Sequence, residues 1–229
     1  MNKKVQAVGK QLADWDKDGL RMFASSSFQT QSLPLLHIIS QYAPNLEVVF
    51  LDTGYHFPET LSFRDRVTAD LNLRTVNIRS DVTKNQQKTT NGNLLFAENP
   101  NQCCHLNKVA PLETFLKNYD VWINGIRADQ NTNRAKLNSI SSGPHGVTRY
   151  HPLIDWSAKE IYEYRVRHNL PSHPLESQGY LSVGCMPCTR PFLAEAGGDL
   201  KESGRDGRWF GQTKTECGLH TELVEQGTK

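Results

Sequence analysis

Short apolar runs alternate along the chain with longer segments whose apolar residues recur at helical spacing. Arg21 to Ala24, Leu46 to Leu51, Arg74 to Ile78 and Val121 to Ile126 read as strands. Between the first two, Leu35, Ile39 and Tyr42 fall at i, i+4 and i+7, which is one face of a helix. Pro34 fits only near the start of that helix, because it lacks an N–H and clashes with the preceding turn. Pro58 to Leu71 and Leu106 to Asn118 give two further crossover helices, and Ser157 to Asn169 gives another with Ser157 as its N-cap. The opening stretch, MNKKVQAVGKQLADWDKDG, is basic at its start but has no apolar centre, so it reads as an amphipathic helix and not as a signal peptide. This alternation predicts an α/β fold built on a parallel sheet flanked by helices.

Two segments break the pattern. Thr83 to Asn93, TKNQQKTTNGN, has no apolar residue and holds an Asn-Gly turn signal, so it is expected to be a mobile loop that covers a site. From Ala196 onward the chain is poor in apolar residues and rich in Gly, Lys, Arg and Glu. Such a segment contributes little core and is expected to order on binding. The folded body should end near Leu193, giving a domain over residues 1–195 and a flexible tail over 196–229.

Composition narrows the function classes. The 229 residues suit one domain, and 37% hydrophobic residues supply enough for one core. A formal charge of only +2 argues against a dedicated duplex-binding or membrane-surface protein, which collects phosphate contacts through a basic excess. The longest mainly apolar run, Leu33 to Ile39, is far short of the ~20 residues that span a bilayer. The chain is therefore expected in the cytoplasm, without nucleic-acid or membrane partners. There its five cysteines stay reduced, which points to metal binding or catalysis before disulfides.

In open parallel sheets ligands bind at the carboxyl ends of the strands. Ser25, Ser26 and Ser27 follow the first expected strand, Asp52, Thr53 and Gly54 the second, and Gly125, Ile126 and Arg127 a later one. Serines after a strand are ordinarily turn residues, yet a serine-rich turn entering a helix also presents hydroxyls and N–H groups to phosphate. The cysteines give the sharper signal: Cys103 and Cys104 are adjacent, Cys185 and Cys188 form Cys-Met-Pro-Cys, and Cys217 stands alone. Four thiolates from two short segments satisfy a tetrahedral metal or an iron–sulfur cluster. An adjacent pair is awkward for finger-type zinc, which favours a cluster and leaves zinc as the alternative. Cys217 sits three residues from both Lys214 and His220, neighbours that favour a reactive thiolate. No resolving thiol is left over and no nicotinamide or flavin fingerprint is present, so reducing equivalents should come from another protein's dithiol. Arg127, Arg134, Arg205, Arg208 and Lys108 supply donors suited to phosphate or sulfate oxygens.

Taken together, SSSFQTQS, LDTGYHFPET, CCHLNKVAPL, WINGIRADQNTNRA, HPLIDWSAKEIY, VGCMPCTRP and GRDGRWFGQTKTECGLH resemble the assimilatory adenylyl-sulfate and phosphoadenylyl-sulfate reductases. The similar segments run from Ser25 to His220. The resemblance implies an adenine nucleotide alpha hydrolase-like, Rossmann-like fold that releases sulfite from an activated sulfate. It implies Cys217 as nucleophile and a 4Fe-4S cluster on Cys103, Cys104, Cys185 and Cys188. It further implies nucleotide contacts from Ser25, Ser26, Ser27, Thr53 and Gly54, phosphosulfate contacts from Arg134, Arg205 and Arg208, and Lys108 linking cluster and substrate. Adenosine 5′-phosphosulfate is the implied substrate and AMP the product, with thioredoxin or a glutaredoxin-like dithiol protein as reductant. A 3′-phosphorylated substrate is the nearest alternative, and the chain is compatible with a homo-oligomer. Two departures stand out: the serine loop lacks the glycine of many nucleotide-binding loops, and Asn107 replaces an arginine that many relatives carry before the lysine. Two rivals remain: an ATP pyrophosphatase of the same fold, disfavoured by the missing glycine-rich loop, and a non-catalytic zinc-stabilised RNA-binding module, disfavoured by the charge and the fifth cysteine.

Overall fold

The computed structural model describes residues 2–192, 207–209, 214, 216 and 218–223. Its elements are α1 (Asn2–Lys17), β1 (Met22–Ser25), α2 (Leu33–Tyr42), β2 (Glu47–Leu51), α3 (Pro58–Asp70), β3 (Arg74–Ile78), α4 (Leu95–Glu98) and α5 (Pro100–Cys104). Then follow α6 (Ala110–Leu116), β4 (Val121–Asn124), β5 (Ile140–Ser142), β6 (Thr148–Tyr150) and α7 (Ala158–Arg167). The four expected strands are present, each within two residues of its predicted ends. α7 starts where Ser157 was expected to cap it: the Ser157 hydroxyl accepts from Glu160 N–H while the Glu160 carboxylate accepts from Ser157 N–H, a capping box.

The six strands lie in the order β3-β2-β1-β4-β6-β5. All pairs are parallel except β5 with β6. Side chains alternate across the sheet, so neighbours in one strand feed opposite cores. On one face Ala24, Val48 and Ile123 join residues of α1, α2 and α7, such as Leu12, Leu36 and Ile161. On the other Phe23, Val49 and Trp122 pack with Val109, Leu112 and Leu116 of the α6 region. The order reverses at β1, which pairs with β2 on one side and β4 on the other. Chains leaving β1 and β4 diverge there, opening a crevice at their carboxyl ends.

Three features escaped the sequence pattern. β5 and β6 are three residues each and carry too few apolar positions to show a period. The expected helix from Leu106 begins earlier, at Pro100, with Asn99 accepting from Gln102 N–H at 3.1 Å as its cap. A π-helical turn, His105–Val109, interrupts it before α6. One extra residue in the turn rotates the side chains, so that Asn107 and Val109 are buried there. The expected loop 83–93 is tied down at one point, because Gln87 is 1% exposed and hydrogen-bonded to Asn107.

Of the expected tail, the described residues pack onto the body. Trp209 is buried, with its N–H donating to Cys188 O at 3.0 Å, and Leu223 joins the core beside Trp122. The tail therefore contributes more core than its composition suggested. No helix among the described residues is long and apolar enough to cross a membrane.

Candidate active site

The serine loop after β1 turns on its own side chains. Ser26 Oγ accepts from Phe28 N–H at 3.1 Å, Ser27 Oγ accepts from Gln29 Nε2 at 3.1 Å, and Ser25 Oγ accepts from Trp122 Nε1 at 2.8 Å. Each hydroxyl keeps its own proton to donate to a ligand. The glycine missing from this loop is replaced by strain: Phe28 has φ 52°, a left-handed conformation unusual for an aromatic residue. Complete burial of its ring, edge-on to Phe50 at 5.9 Å, holds it there.

These serines line a cleft at the switch point, together with Asn124, Gly125 and Ile126 after β4. Arg134 and Gln130 stand on its rim, and Leu219 and His220 reach it from the C-terminal segment. Next to the cleft is a second, smaller cavity lined by Cys103, Cys104, Cys185 and Cys188. The four expected ligands are thus brought to one place from α5 and from the 185–188 turn. None of the four is joined in a disulfide. They are the side chains that could hold a metal or cluster, although no three His, Cys, Asp or Glu side chains are gathered at metal-binding distance among the described residues.

Lys108, Cys185 and Arg208 line both spaces and form the wall between them. Their charges act on the thiols. Burial alone would raise the Cys185 pKa, but Lys108, a Thr53 hydrogen bond and Arg208 together lower it, favouring thiolate. Thr53 Oγ1 accepts from Tyr55 N–H at 3.2 Å, so its proton is free to point at Cys185 Sγ, 3.3 Å away. Cys103 goes the other way, pushed up to about 12 by burial and then by the three other cysteines.

The remaining expected residues fall into three groups. Thr53 belongs to the cysteine cavity and does not line the main cleft, and Gly54, at φ +67°, sits beneath the Lys84 side chain with its N–H donating to Asp52 at 2.9 Å. His56, from the same loop, lines the cleft in their place. Arg134 is buried and paired with Glu216, Nε to Oε2 at 2.8 Å. Arg208 donates to Val183 O at 3.3 Å and lies 4.6 Å over the Trp209 ring. Arg127 is turned inward onto Asp129 and Gln31. Cys217 and Arg205 lie outside the described residues. Sequence reasoning missed Gln87, Arg149 and His151, whose signals are isolated polar residues with no local pattern.

The cleft at the switch point shares a cationic wall with four converging cysteines, and the sequence that builds it matches a known protein family. The phosphoadenosine phosphosulfate reductase domain matches residues 21–191. The chain belongs to that family. Relatives named adenosine 5′-phosphosulfate reductase support this: that of Salinibacter ruber is 38% identical over 86% of this chain and 76% of the relative. That of Rhodococcus opacus is 41% identical over 81% and 73%, and that of Bacillus cereus strain Q1 40% identical over 85% and 81%. Solved structures agree on the fold. The phosphoadenylyl-sulfate reductase of Candida auris, a phosphate complex, has TM-score 0.65 at 22% identity, covering 78% of this chain and 88% of that one. The FMN adenylyltransferase of Candida glabrata has TM-score 0.60 at 17% identity, covering 82% and 65%. Both solved structures thus share the fold of this chain.

Proposed function

We propose that this reductase-family chain converts adenosine 5′-phosphosulfate to sulfite and AMP, in sulfate assimilation. The observation that carries the reading is the shared wall of Lys108, Cys185 and Arg208, which sets a cationic face of the nucleotide cleft against four cysteines. Relatives at 38–41% identity bear the name of this activity.

The reaction needs a nucleophile at sulfur. The Cys217 thiolate attacks the sulfate sulfur, the bond from that sulfur to the bridging oxygen breaks, and AMP leaves with the electron pair. An enzyme S-sulfocysteine results. A thiolate of thioredoxin or a glutaredoxin-like protein then attacks the Cys217 sulfur, forms a mixed disulfide and expels sulfite. The partner's second thiol closes its own disulfide and restores Cys217. Nucleophile and substrate are both anionic, so the chain's task is to offset their repulsion. Lys108, Arg134, Arg205 and Arg208 do this, and the hydroxyls of Ser25, Ser26 and Ser27 hold the nucleotide. Cys217 must meet first a cleft-bound sulfate and then a protein thiol, so residues 196–229 act as a moving segment on a body of residues 1–195.

Cys103, Cys104, Cys185 and Cys188 fit a 4Fe-4S cluster by their chemistry: four thiols and no competing acid or imidazole line the cavity. Four thiolates gathered around one small cavity repel one another unless bound iron takes up their charge. When bound, the cluster supplies polarity beside the substrate's anionic end and not the electrons of reduction. Function in the cytoplasm accords with reduced cysteines.

The test is anaerobic turnover of adenosine 5′-phosphosulfate with thioredoxin, following AMP and sulfite, with the 3′-phosphorylated nucleotide in parallel. Equimolar AMP and sulfite, absent in Cys217→Ser, support the reading. Faster turnover of the 3′-phosphorylated nucleotide moves the substrate assignment, and sulfite from Cys217→Ser removes the nucleophile. Iron and sulfide analysis checks the cluster, and one zinc with no iron overturns it.

A further inference from the structure

Arg149, on β6, is 1% exposed, and among the described residues no carboxylate pairs with it. Its stem lies along Gly143, where a Cβ would come within 2.8 Å of Arg149 Cγ, so only glycine leaves it room. Its guanidinium carbon is 5.0 Å over the Trp122 ring, and Nη2 is 3.2 Å from His220 Nδ1. Among the described residues Arg149 Nε has no hydrogen-bond partner. A buried cation held, among the described residues, by an aromatic face and one imidazole is costly unless it serves something.

The hydrogen bond has one allowed polarity. A guanidinium only donates. Burial lowers the Arg149 pKa to about 10, which still leaves it charged at neutral pH. His220 Nδ1 must therefore accept, and its single ring proton resides on Nε2. A second proton on Nδ1 would confront the donor, so the ring stays neutral. His220 is fixed in the plane by stacking on Trp122 at 6.0 Å and 8°, with His151 edge-on at 6.4 Å.

The charges around this ring come from several elements. Arg149 and His151 face it from β6 and its exit, Arg134 from the 134–136 turn, and Glu216 from its own segment. Glu216 is already engaged by Arg134 and Asn131. Among the described residues no carboxylate compensates the Arg149 charge, which reaches the cleft through His220, one of its lining residues. An anion entering the cleft supplies the missing charge.

We infer that Arg149 is a positioning residue that locks His220 as its neutral Nε2–H tautomer and presents that N–H to the anionic end of the cleft's ligand. The inference rests on the proposed reduction for the ligand's identity but not for the tautomer. In this arrangement His220 donates a hydrogen bond without titrating through the neutral range, so turnover does not depend on its protonation.

The test uses the holoenzyme labelled with ¹⁵N-histidine, with His220→Gln to assign the resonance. The wild type should show an unprotonated Nδ1 and a protonated Nε2 down to low pH, with Nε2–H shifting on AMP or inorganic phosphate addition. Arg149→Met should give mixed tautomers and a ring that protonates near the ordinary histidine pKa of about 6.5. It should also lose about 10²-fold in kcat/KM, with a new acid limb in the pH profile. Arg149→Lys, which still donates to Nδ1, should restore the wild-type profile shape. Arg149→Gln replaces the methionine variant if circular dichroism shows that one unfolded. A wild-type Nδ1–H tautomer, or an unchanged tautomer and pH profile in the variants lacking the charge, overturns the inference. Because the tautomer is read without turnover, failure on adenosine 5′-phosphosulfate would count against the reaction and not against this pair.

Discussion

Gln87 and Asn107 exchange amide hydrogen bonds at the foot of the cysteine helix. Asn107 Nδ2 donates to Gln87 Oε1 at 2.6 Å and Gln87 Nε2 returns a bond to Asn107 Oδ1 at 3.0 Å. Both side chains are almost fully buried, and Asn107 Nδ2 also donates to Cys103 O at 2.9 Å and approaches Cys103 Sγ at 3.6 Å. A neutral amide thus stands immediately before Lys108, and a residue from the polar 83–93 loop supplies its partner.

Removing half of that pair should cost more than removing both. Gln87→Ala leaves a buried amide unsatisfied, and an expected loss of about 1–3 kcal/mol follows in denaturant unfolding. The double variant Gln87→Leu with Asn107→Leu should lose less than the sum of the singles, because no polar group is then stranded. A strictly additive double-mutant cycle would show that the pair is not coupled.

Glu216 anchors the segment next to Cys217 through Arg134, with side-chain exposures of 2% and 10%. Glu216→Ala strands a buried guanidinium, a class of change that costs about 3–5 kcal/mol when nothing replaces the partner. Amide hydrogen exchange should speed up over residues 218–223 while β1, β2 and β4 stay protected. Equal protection in variant and wild type would assign the docking to Leu219 and Leu223 instead.

Stability should fall on the acid side of neutrality. His151 is fully buried, and burial, then Arg149 and Arg134, lower its pKa to about 3. The unfolded chain therefore takes up a proton that the folded chain refuses. Stability from this group is complete above about pH 6.5 and declines by about 1.4 kcal/mol per pH unit as pH falls from there toward 3. Glu160 acts in the same direction lower down: bonds from Ser157 and Lys4 bring it to about 2, so its contribution is lost as pH falls below the ordinary glutamate range. Urea midpoints at pH 8, 6 and 5 check this, and a flat profile for wild type matched by His151→Gln would contradict it.

Ser157→Ala should destabilise by about 1 kcal/mol, because the Glu160 N–H loses its acceptor and the reciprocal half of the box loses its geometry. Thermal unfolding measures it. Since α7 packs on α2 away from the cleft, nucleotide affinity should not change.

The order of apolar runs and helical repeats already contained the α/β class, the four strands β1 to β4 and the α7 cap, because these follow from local periodicity and one capping residue. The two cysteine pairs, and the strand-end clusters of serine and arginine, were equally legible in their spacing. What the chain alone could not show is which residues meet across the fold. Thr53 turned to the cysteines and not to the main cleft, and Arg134 met Glu216, 82 residues away. Lys108, Cys185 and Arg208 share one wall because the fold brings together segments remote in sequence. Arg149 and His220, 71 residues apart, meet under Trp122 for the same reason. Such contacts depend on sheet order and on burial, and a buried polar group is satisfied by whatever the tertiary structure brings within hydrogen-bonding reach, which no local pattern encodes.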